Sequence, residues 1–335
     1  MAHNKNNKPP GRVTLRDVAK ESGVSVATVS YVLNDSGSVG NKVKEQVRST
    51  INRLGYTPNF SAQAIRTGRT KTLGIIIPDL KNPFFPELAQ SVESAARDSG
   101  FAVFLVDTQE SVEAEAEGIS KLIKHGVEGI IWCPSSEKDC FKKYAGSIPV
   151  VVIDRPLPNY DTVYSDYSKG GKLLAQYLLS EGHRKIGLIS GPQTIESAAQ
   201  RRKGFLEEIG IQAEIIWEIE NPFSIKLCPE AVSELKKQAV SVIVAGNDMI
   251  AIGAIKTLNK LKINVPESVS VVGFDDVPWS DIVHPSLTTI RQPLSELGKE
   301  AVNLLLRRIG NLTASKKSVI LDVQLVVRDS VFSLK

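Results

Sequence analysis

From about residue 72 onward the chain alternates short aliphatic runs with longer stretches whose apolar residues recur every three or four positions. The runs at 73–77, 102–106, 129–132, 150–153, 186–189, 215–218, 242–245 and 269–272 read as strands, and a last one spans 319–327. Between them the spacing predicts helices over 86–99, 112–124, 167–180, 198–209, 229–238 and 248–261. Nearly continuous aliphatic runs mark strands buried on both faces, as in parallel sheets covered by helices, so the class is α/β. There are too many such strands for one doubly wound domain, which points to two lobes.

The first seventy residues follow another pattern. Thr14 caps a helix whose first turn holds Asp17, and Gly23 stops it. Ser25 caps a second helix reaching Asn34, with Val26, Val29, Val32 and Leu33 as its apolar residues. A third helix over 42–54 carries Val43, Val47, Ile51 and Leu54 at helical spacing. Helix, Gly-containing turn, helix is the helix-turn-helix arrangement, whose second helix enters the major groove of DNA. Any small helical bundle has such turns. Here, however, the second helix presents the small and hydroxylated residues Ser25, Ala27, Thr28 and Ser30, which allow close approach to a partner.

Charge strengthens that reading. The 335 residues carry a net charge of only +4, but residues 1–70 hold eleven Lys/Arg against four Asp/Glu. A basic block on a mildly acidic body suggests a module that meets a polyanion. No apolar run approaches the length needed to span a bilayer, and the polar N-terminus lacks an apolar signal core, so a cytoplasmic protein with no membrane partner is expected. Cys133, Cys140 and Cys228 show no metal-ligand spacing and read as buried thiols; neither metal nor cofactor is expected.

The run from Val13 to Asn34, VTLRDVAKESGVSVATVSYVLN, resembles the headpiece of the lactose-repressor family, as does Leu54-Gly55-Tyr56-Thr57-Pro58-Asn59. The resemblance implies a flexible basic tail over 1–12, a DNA-binding headpiece over 13–58, and a hinge helix and linker over 59–70. It places Val26, Ala27 and Tyr31 at base-reading positions, and Ser25, Thr28, Ser30 and Asn34 at phosphate-positioning ones, with Thr14 and Arg66 also in the DNA-facing set. In the hinge, Ala62 fits the helix and Ile65 takes the position of the side chain that wedges into the minor groove. The alternative for the hinge is a flexible linker, since Thr67-Gly68-Arg69-Thr70 follows directly. Tyr31 departs from the Arg or His common at its position, so the operator sequence does not follow from the family.

In the body, open α/β sheets bind ligands at the carboxyl ends of their strands. The polar residues there include Asp79, Asn82, Asp107, Asp154, Arg155, Asn247, Asp248, Asp275 and Asp276. Each taken alone is more often a helix cap or turn residue; together they suggest a polar cleft. The segments NPFF at 82–85, EGHRKIG at 181–187, Asn247-Asp248, GFDD at 273–276 and LTTIRQP at 287–293 resemble the regulatory core of the same family. That implies a fold like the periplasmic sugar-binding proteins: an N-lobe of about 71–160 and 292–319, and a C-lobe of about 161–291 and 320–332.

By resemblance to the ribose-binding branch of that fold, Asn82, Asp154, Arg155, Arg201, Asn247, Asp275 and Gln292 would bond hydroxyls, and Phe84, Phe85 and Phe223 would cover a sugar ring. The chemistry is sensible in itself: carboxylates and amides match paired hydroxyls, Arg supplies a rigid fork, and aromatic rings cover C–H faces. The competing explanations are core packing for the phenylalanines and a solvated helix face for Arg201 in its Arg-Arg-Lys run. Trp279 could be a rim contact or plain packing.

No phosphate loop, GxGxxG, HExxH or GxSxG pattern supports an enzyme. The expectation is a dimeric, effector-controlled repressor of a sugar-utilisation operon, binding double-stranded operator DNA and a pentose-like sugar. Alternatives are a regulator answering to a nucleobase, another sugar or a phosphorylated partner protein, and, in another class, a sugar-binding receptor. The few residues after the last strand are too short for a tetramerising heptad segment, so a homodimer is expected.

Overall fold

The computed structural model describes residues 13–57, 68–136, 139–144 and 147–335, and the chain divides into two units at Thr70/Lys71. In the first unit, α1 (Leu15–Glu21), α2 (Val26–Leu33) and α3 (Asn41–Leu54) close on a small aliphatic core of Val18, Ala19, Val29, Val32 and Val47. Thr14 and Asp17 form a reciprocal capping box at the start of α1. The Ser25 side chain accepts from the Thr28 N–H and caps α2. Gly55, at φ 63°, ends α3 in the left-handed conformation that glycine adopts freely.

The second unit has two lobes. In the N-lobe, β1 (Thr72–Ile77), β2 (Ala102–Asp107), β3 (Gly129–Trp132), β4 (Val150–Ile153), β5 (Asp161–Ser165) and β11 (Ser318–Leu321) form a parallel sheet of order β11-β5-β4-β3-β1-β2. Two helices, α4 (Phe84–Asp98) and α11 (Leu294–Gly310), cover one face with Leu88, Val92, Leu297, Ala301 and Leu305. The other face packs against α5 (Val112–Lys124), around the buried Trp132 and Phe141. Each fully buried Leu or Val stabilises such a core by roughly 1.5–3 kcal/mol.

The C-lobe sheet is also parallel, in the order β7-β6-β8-β9, with β6 at Lys185–Ser190, β7 at Glu214–Glu220, β8 at Val242–Ala245 and β9 at Ser270–Val272. It is sandwiched between α8 (Pro229–Lys237) with α9 (Asp248–Lys260) and α6 (Tyr167–Ser180) with α7 (Glu196–Ile209). The one-turn α10 is Trp279–Ile282, and β10 (Thr289–Arg291) pairs antiparallel with β12 (Gln324–Val326). Helices α6 and α7 approach unusually closely. A Cβ on Gly171 would lie 2.2 Å from the Arg201 carbonyl oxygen, and one on Gly204 would lie 2.1 Å from that of Ser168.

Several expectations need correction. The expected strand at 319–327 is two: β11 belongs to the N-lobe sheet, β12 to the small ribbon with β10, and the chain turns between them at Asp322 and Val323. The first passage between lobes comes after Ser165, not near 160, because β5 pairs with β4. The third comes after Leu321, close to the expected boundary near 320. The segment 294–310, assigned no element from the sequence, is the seventeen-residue α11.

Candidate functional sites

On α2 the side chains singled out for DNA stand on the outside of the bundle. Val29 and Val32 point inward, while Ser25, Val26, Ala27, Tyr31 and Asn34 are exposed and Thr28 and Ser30 half-buried. The Ser25 and Thr28 hydroxyls lie 2.9 Å apart at the helix start, and the Asn34 amide donates to the Ser30 carbonyl oxygen at 2.7 Å. The Tyr31 ring lies over Gly37, which at φ 76° turns the chain beneath it. Thr14 is exposed at the N-terminus of α1, where backbone N–H groups face outward. The hinge positions Ala62, Ile65 and Arg66 lie outside the described residues, as do 1–12.

The second candidate site follows the carboxyl ends of the strands in both lobes. Asp154, directly after β4, takes φ 66°, a left-handed conformation that costs a non-glycine residue and recurs at functional sites. Its carboxylate accepts from the Tyr167 hydroxyl at 2.7 Å, and the Cys133 thiol approaches it at 3.7 Å. Beside it, the Arg155 guanidinium sits 5.5 Å from the Phe85 ring centroid and donates to the Pro134 carbonyl oxygen at 3.0 Å. Tyr167 opens α6, immediately past the passage between lobes, so its hydroxyl ties the C-lobe to the end of β4.

From Tyr167 the contacts continue into the C-lobe. The Arg201 guanidinium lies 5.0 Å from the Tyr167 ring centroid and 4.0 Å from that of Phe274, pairs with Asp275 at 3.0 Å and donates to the Gly246 carbonyl oxygen at 3.1 Å. Arg201 holds this position because Gly171 and Gly204 let α7 lie against α6. The Gln292 amide donates to the Asp275 carboxylate at 2.8 Å, and the Asn247 side chain also bonds it. Thus Phe85, Arg155, Asp154, Arg201, Asp275, Asn247 and Gln292 belong to one connected network that spans both lobes. All seven side chains are buried. Arg155 Nε, Arg201 Nε and Gln292 Oε1 nevertheless have no hydrogen-bond partner among the described residues.

Burial governs the electrostatics. Desolvation pushes the Asp275 carboxyl up to about 6, against the lowering pull of Arg201. Asp248 is pushed up to about 7 by burial and by the neighbouring Asp275 charge. It accepts from the Val277 N–H at 2.9 Å and from the Ser280 and Thr289 hydroxyls at 2.6 and 2.5 Å, tying the 275–282 loop to the start of α9.

Other candidates sit differently. Asn82 is buried but spends its side-chain oxygen on the Phe84 N–H at 3.2 Å, at the start of α4. Phe84 packs edge-on to Phe85 at 5.2 Å within the N-lobe core. Phe223 is half-buried beside Gly191, where a Cβ would lie 2.3 Å from its ring, and packs against the C-lobe core. Asp79 and Asp107 each accept from a backbone N–H two residues on, as turn residues do. Trp279 is 41% exposed on α10. Sequence reasoning did not single out Tyr167, which only the lobe passage reveals, and it noted Asp248 only as one polar residue after a strand. Of groups that could hold a metal, none occurs among the described residues. No helix there is long and apolar enough to cross a membrane.

Residues 70–328 match the family model of the periplasmic binding proteins and the sugar-binding domain of the LacI family, and residues 14–59 match that of the bacterial regulatory proteins of the lacI family. The HTH-type transcriptional repressor PurR of Pasteurella multocida is 34% identical over 330 residues, covering 96% of this chain and 99% of its own. The ribose operon repressor of Halalkalibacterium halodurans is 34% identical over 321 residues, covering 95% of this chain and 96% of its own. Among solved structures, the lac repressor dimer bound to operator and an anti-inducer superposes with a TM-score of 0.82 at 27% identity, over 95% of this chain and 98% of that one.

Proposed function

The chain belongs to the LacI family of bacterial regulatory proteins, and from that premise we propose that it is a ligand-responsive repressor of a sugar-utilisation operon. It binds a near-palindromic operator as a homodimer. Its effector is a small polyol of the pentose class, with ribose as the first candidate. In this reading α2 lies in the major groove, Val26, Ala27 and Tyr31 face base edges, and Ser25, Thr28, Ser30 and Asn34 hold phosphates. The hinge over 59–70 connects this unit to the core, and Ile65 is its wedge into the minor groove.

The observation that carries the effector reading is the set of three unsatisfied polar atoms, Arg155 Nε, Arg201 Nε and Gln292 Oε1, within one buried network that spans both lobes. Buried polar groups are rarely left without partners, and a polar ligand held between the lobes would supply them. A polyol supplies donors and acceptors for all three atoms, and Phe85 offers an apolar face to its C–H side. The name of the ribose operon repressor supports the choice of pentose. Since each lobe arrangement holds the ligand differently, binding shifts the arrangement and with it operator affinity. Such couplings are typically about 1–3 kcal/mol and are reciprocal.

The test is a mobility-shift series on DNA upstream of the protein's own gene, paired with calorimetry against ribose, other pentoses, hexoses and purine bases. Specific binding that weakens steeply with salt is expected, because phosphate contacts dominate affinity. Ribose should bind and shift operator affinity. Heat from a purine alone would replace the pentose reading with a nucleobase one, and absence of specific DNA binding would overturn the repressor reading.

A further inference from the structure

A cavity of about 370 Å³ opens at the amino ends of strands of the six-stranded sheet, opposite the carboxyl ends that face the cleft. Its lining includes Val150 and Asp161, the first residues of β4 and β5, and Arg308 near the end of α11. Its volume falls in the range of small-molecule sites, roughly 300–1,000 Å³. Phe141, Tyr144 and Tyr160 give it an aromatic wall, and Ile148 and Leu312 add aliphatic surface. The wall is held from behind: the Trp132 ring lies 4.8 Å from Phe141 and 5.8 Å from Tyr160, and Phe141 is 6.5 Å from Tyr144.

The charges of the lining select among ligands. Both carboxylates are already engaged. Asp139 accepts from the Tyr160 hydroxyl at 2.7 Å and from the Phe141 N–H at 3.0 Å. Asp161 is buried and takes Arg307 at 2.9 Å, Arg308 at 2.5 Å and the Lys317 N–H at 2.7 Å. The Arg308 guanidinium is spent on Asp161 and on the carbonyl oxygens of Leu312 and Ala314. By contrast, the side chains of Lys142 and Lys316 stand exposed on the lining with no ion pair or hydrogen bond among the described residues. Uncommitted positive charge at the rim of an aromatic cavity matches a flat apolar body carrying one negative group. A sugar would find few uncommitted hydroxyl partners there.

We propose that this cavity is a second small-molecule site, for an aromatic monocarboxylate. It is placed to influence the cleft. β4 runs from the cavity at Val150 to Ile153, next to Asp154 and Arg155, and α11 runs from Leu294, two residues past Gln292, to Arg308 at the cavity. An occupant therefore touches two elements whose far ends carry cleft residues. That regulatory consequence rests on the proposed effector cleft; the binding itself does not.

Saturation-transfer NMR on the full-length chain tests it with benzoate, phenylacetate and indole-3-acetate as probes, each beside its neutral methyl ester. At least one acid should receive saturation at about 1 mM, the affinity scale of a small weak ligand, and its ester should bind more weakly. The double variant Lys142→Glu/Lys316→Glu, changed only at exposed side chains, should weaken the acid about tenfold and leave the ester unchanged. Excess ribose should not displace the probe. No transfer to any acid, equal binding of acid and ester, an unaffected double variant, or displacement by ribose that runs to completion, as for a shared site, would each overturn the proposal. Failure of ribose to bind at all would count against the effector reading and leave this one standing.

Discussion

On α2 the residues in line to meet DNA face solvent, with Val26 at 42% and Tyr31 at 49% exposure, whereas in the cleft Asp154, Arg155, Arg201, Asn247, Asp275 and Gln292 are all buried and joined through Tyr167 in one network. The difference follows from the two partners. Duplex DNA is large and rigid and presents its phosphates outward, so an open helix face meets it without giving up internal contacts. A small-molecule effector must be enclosed, so the groups that would meet it are buried beforehand and hold each other in place. Open-face side chains without internal bonds, such as Val26 and Ala27, therefore act on binding alone, whereas Ser25 also caps α2. Side chains of the cleft act on binding and folding together.

The largest effect that would break this contrast is at Arg201. Its guanidinium pairs with Asp275, lies over the Tyr167 and Phe274 rings, and donates to Gly246. Arg201→Ala leaves a buried carboxyl without its cation, which typically costs about 3–5 kcal/mol. Thermal unfolding of the core should shift down accordingly, and calorimetry should show ribose binding lost. A variant as stable as the parent, with unchanged affinity for every ligand that binds, would mean that Arg201 is a solvated helix face after all.

Next comes pH. Asp275 at about 6 and Asp248 at about 7 both sit above the ordinary carboxylate range, each chiefly through burial. The folded state thus holds protons that the unfolded chain releases near pH 4. With respect to these groups, stability of the core should be highest below about pH 4, fall as pH rises from there through 6 and 7, and level off above. Each unit of displacement corresponds to about 1.4 kcal/mol, so the fall is on the order of a few kcal/mol. Asp248→Asn should flatten much of the slope. Its amide oxygen can still accept from the Val277 N–H and the Ser280 hydroxyl, and its N–H₂ can donate to a Thr289 hydroxyl turned to accept. Urea unfolding at pH 5 and pH 8 measures both. A pH slope left unchanged by Asp248→Asn would contradict the assignment.

The same contrast explains what the sequence makes legible. Continuous aliphatic runs such as Ile75-Ile76-Ile77 or Val150-Val151-Val152 announce buried strands, because both faces of those strands are covered. β5, Asp161-Thr162-Val163-Tyr164-Ser165, carries no such run and is legible only from its place between β4 and β11. The segment 319–327 reads as one strand because apolar residues continue through the turn at Asp322, where the chain changes lobes. In α11, Leu297, Ala301, Leu304 and Leu305 do follow helical spacing, so that helix was open to the same rule that found the others. At the cleft, polar residues after strands identify Asp154, Asn247 and Asp275 by rule. Tyr167 and the Gly171 and Gly204 contacts that position Arg201 depend on which helices meet, and no local pattern carries that.

On the open face the expected effects are smaller and confined to DNA. Tyr31 buries only part of its ring, against Gly37. Tyr31→Ala should change headpiece stability by less than about 0.5 kcal/mol, the usual range for an exposed position. Operator discrimination should fall by about 1–3 kcal/mol, the worth of a base-reading contact. Mobility shifts on operator and scrambled DNA separate the two: equal loss on both would make Tyr31 a backbone contact, and no loss on either would remove it from the interface.

The smallest effect sharpens the comparison from the other side, because Thr14 is exposed and yet structural. Its hydroxyl accepts from the Asp17 N–H at 3.3 Å, while its own N–H and hydroxyl donate to the Asp17 carboxylate at 2.8 and 2.7 Å. Those bonds hold the Asp17 carboxyl below its ordinary range. Thr14→Ala removes the N-cap and should cost about 1 kcal/mol of headpiece stability. Hydrogen exchange should locate the loss in α1 and its contacts with α2 and α3, and leave residues 71–335 unchanged, since the two units have separate cores. If faster exchange spread into the core lobes, the two units would share one folding transition. The open face could then not be mutated independently of the cleft.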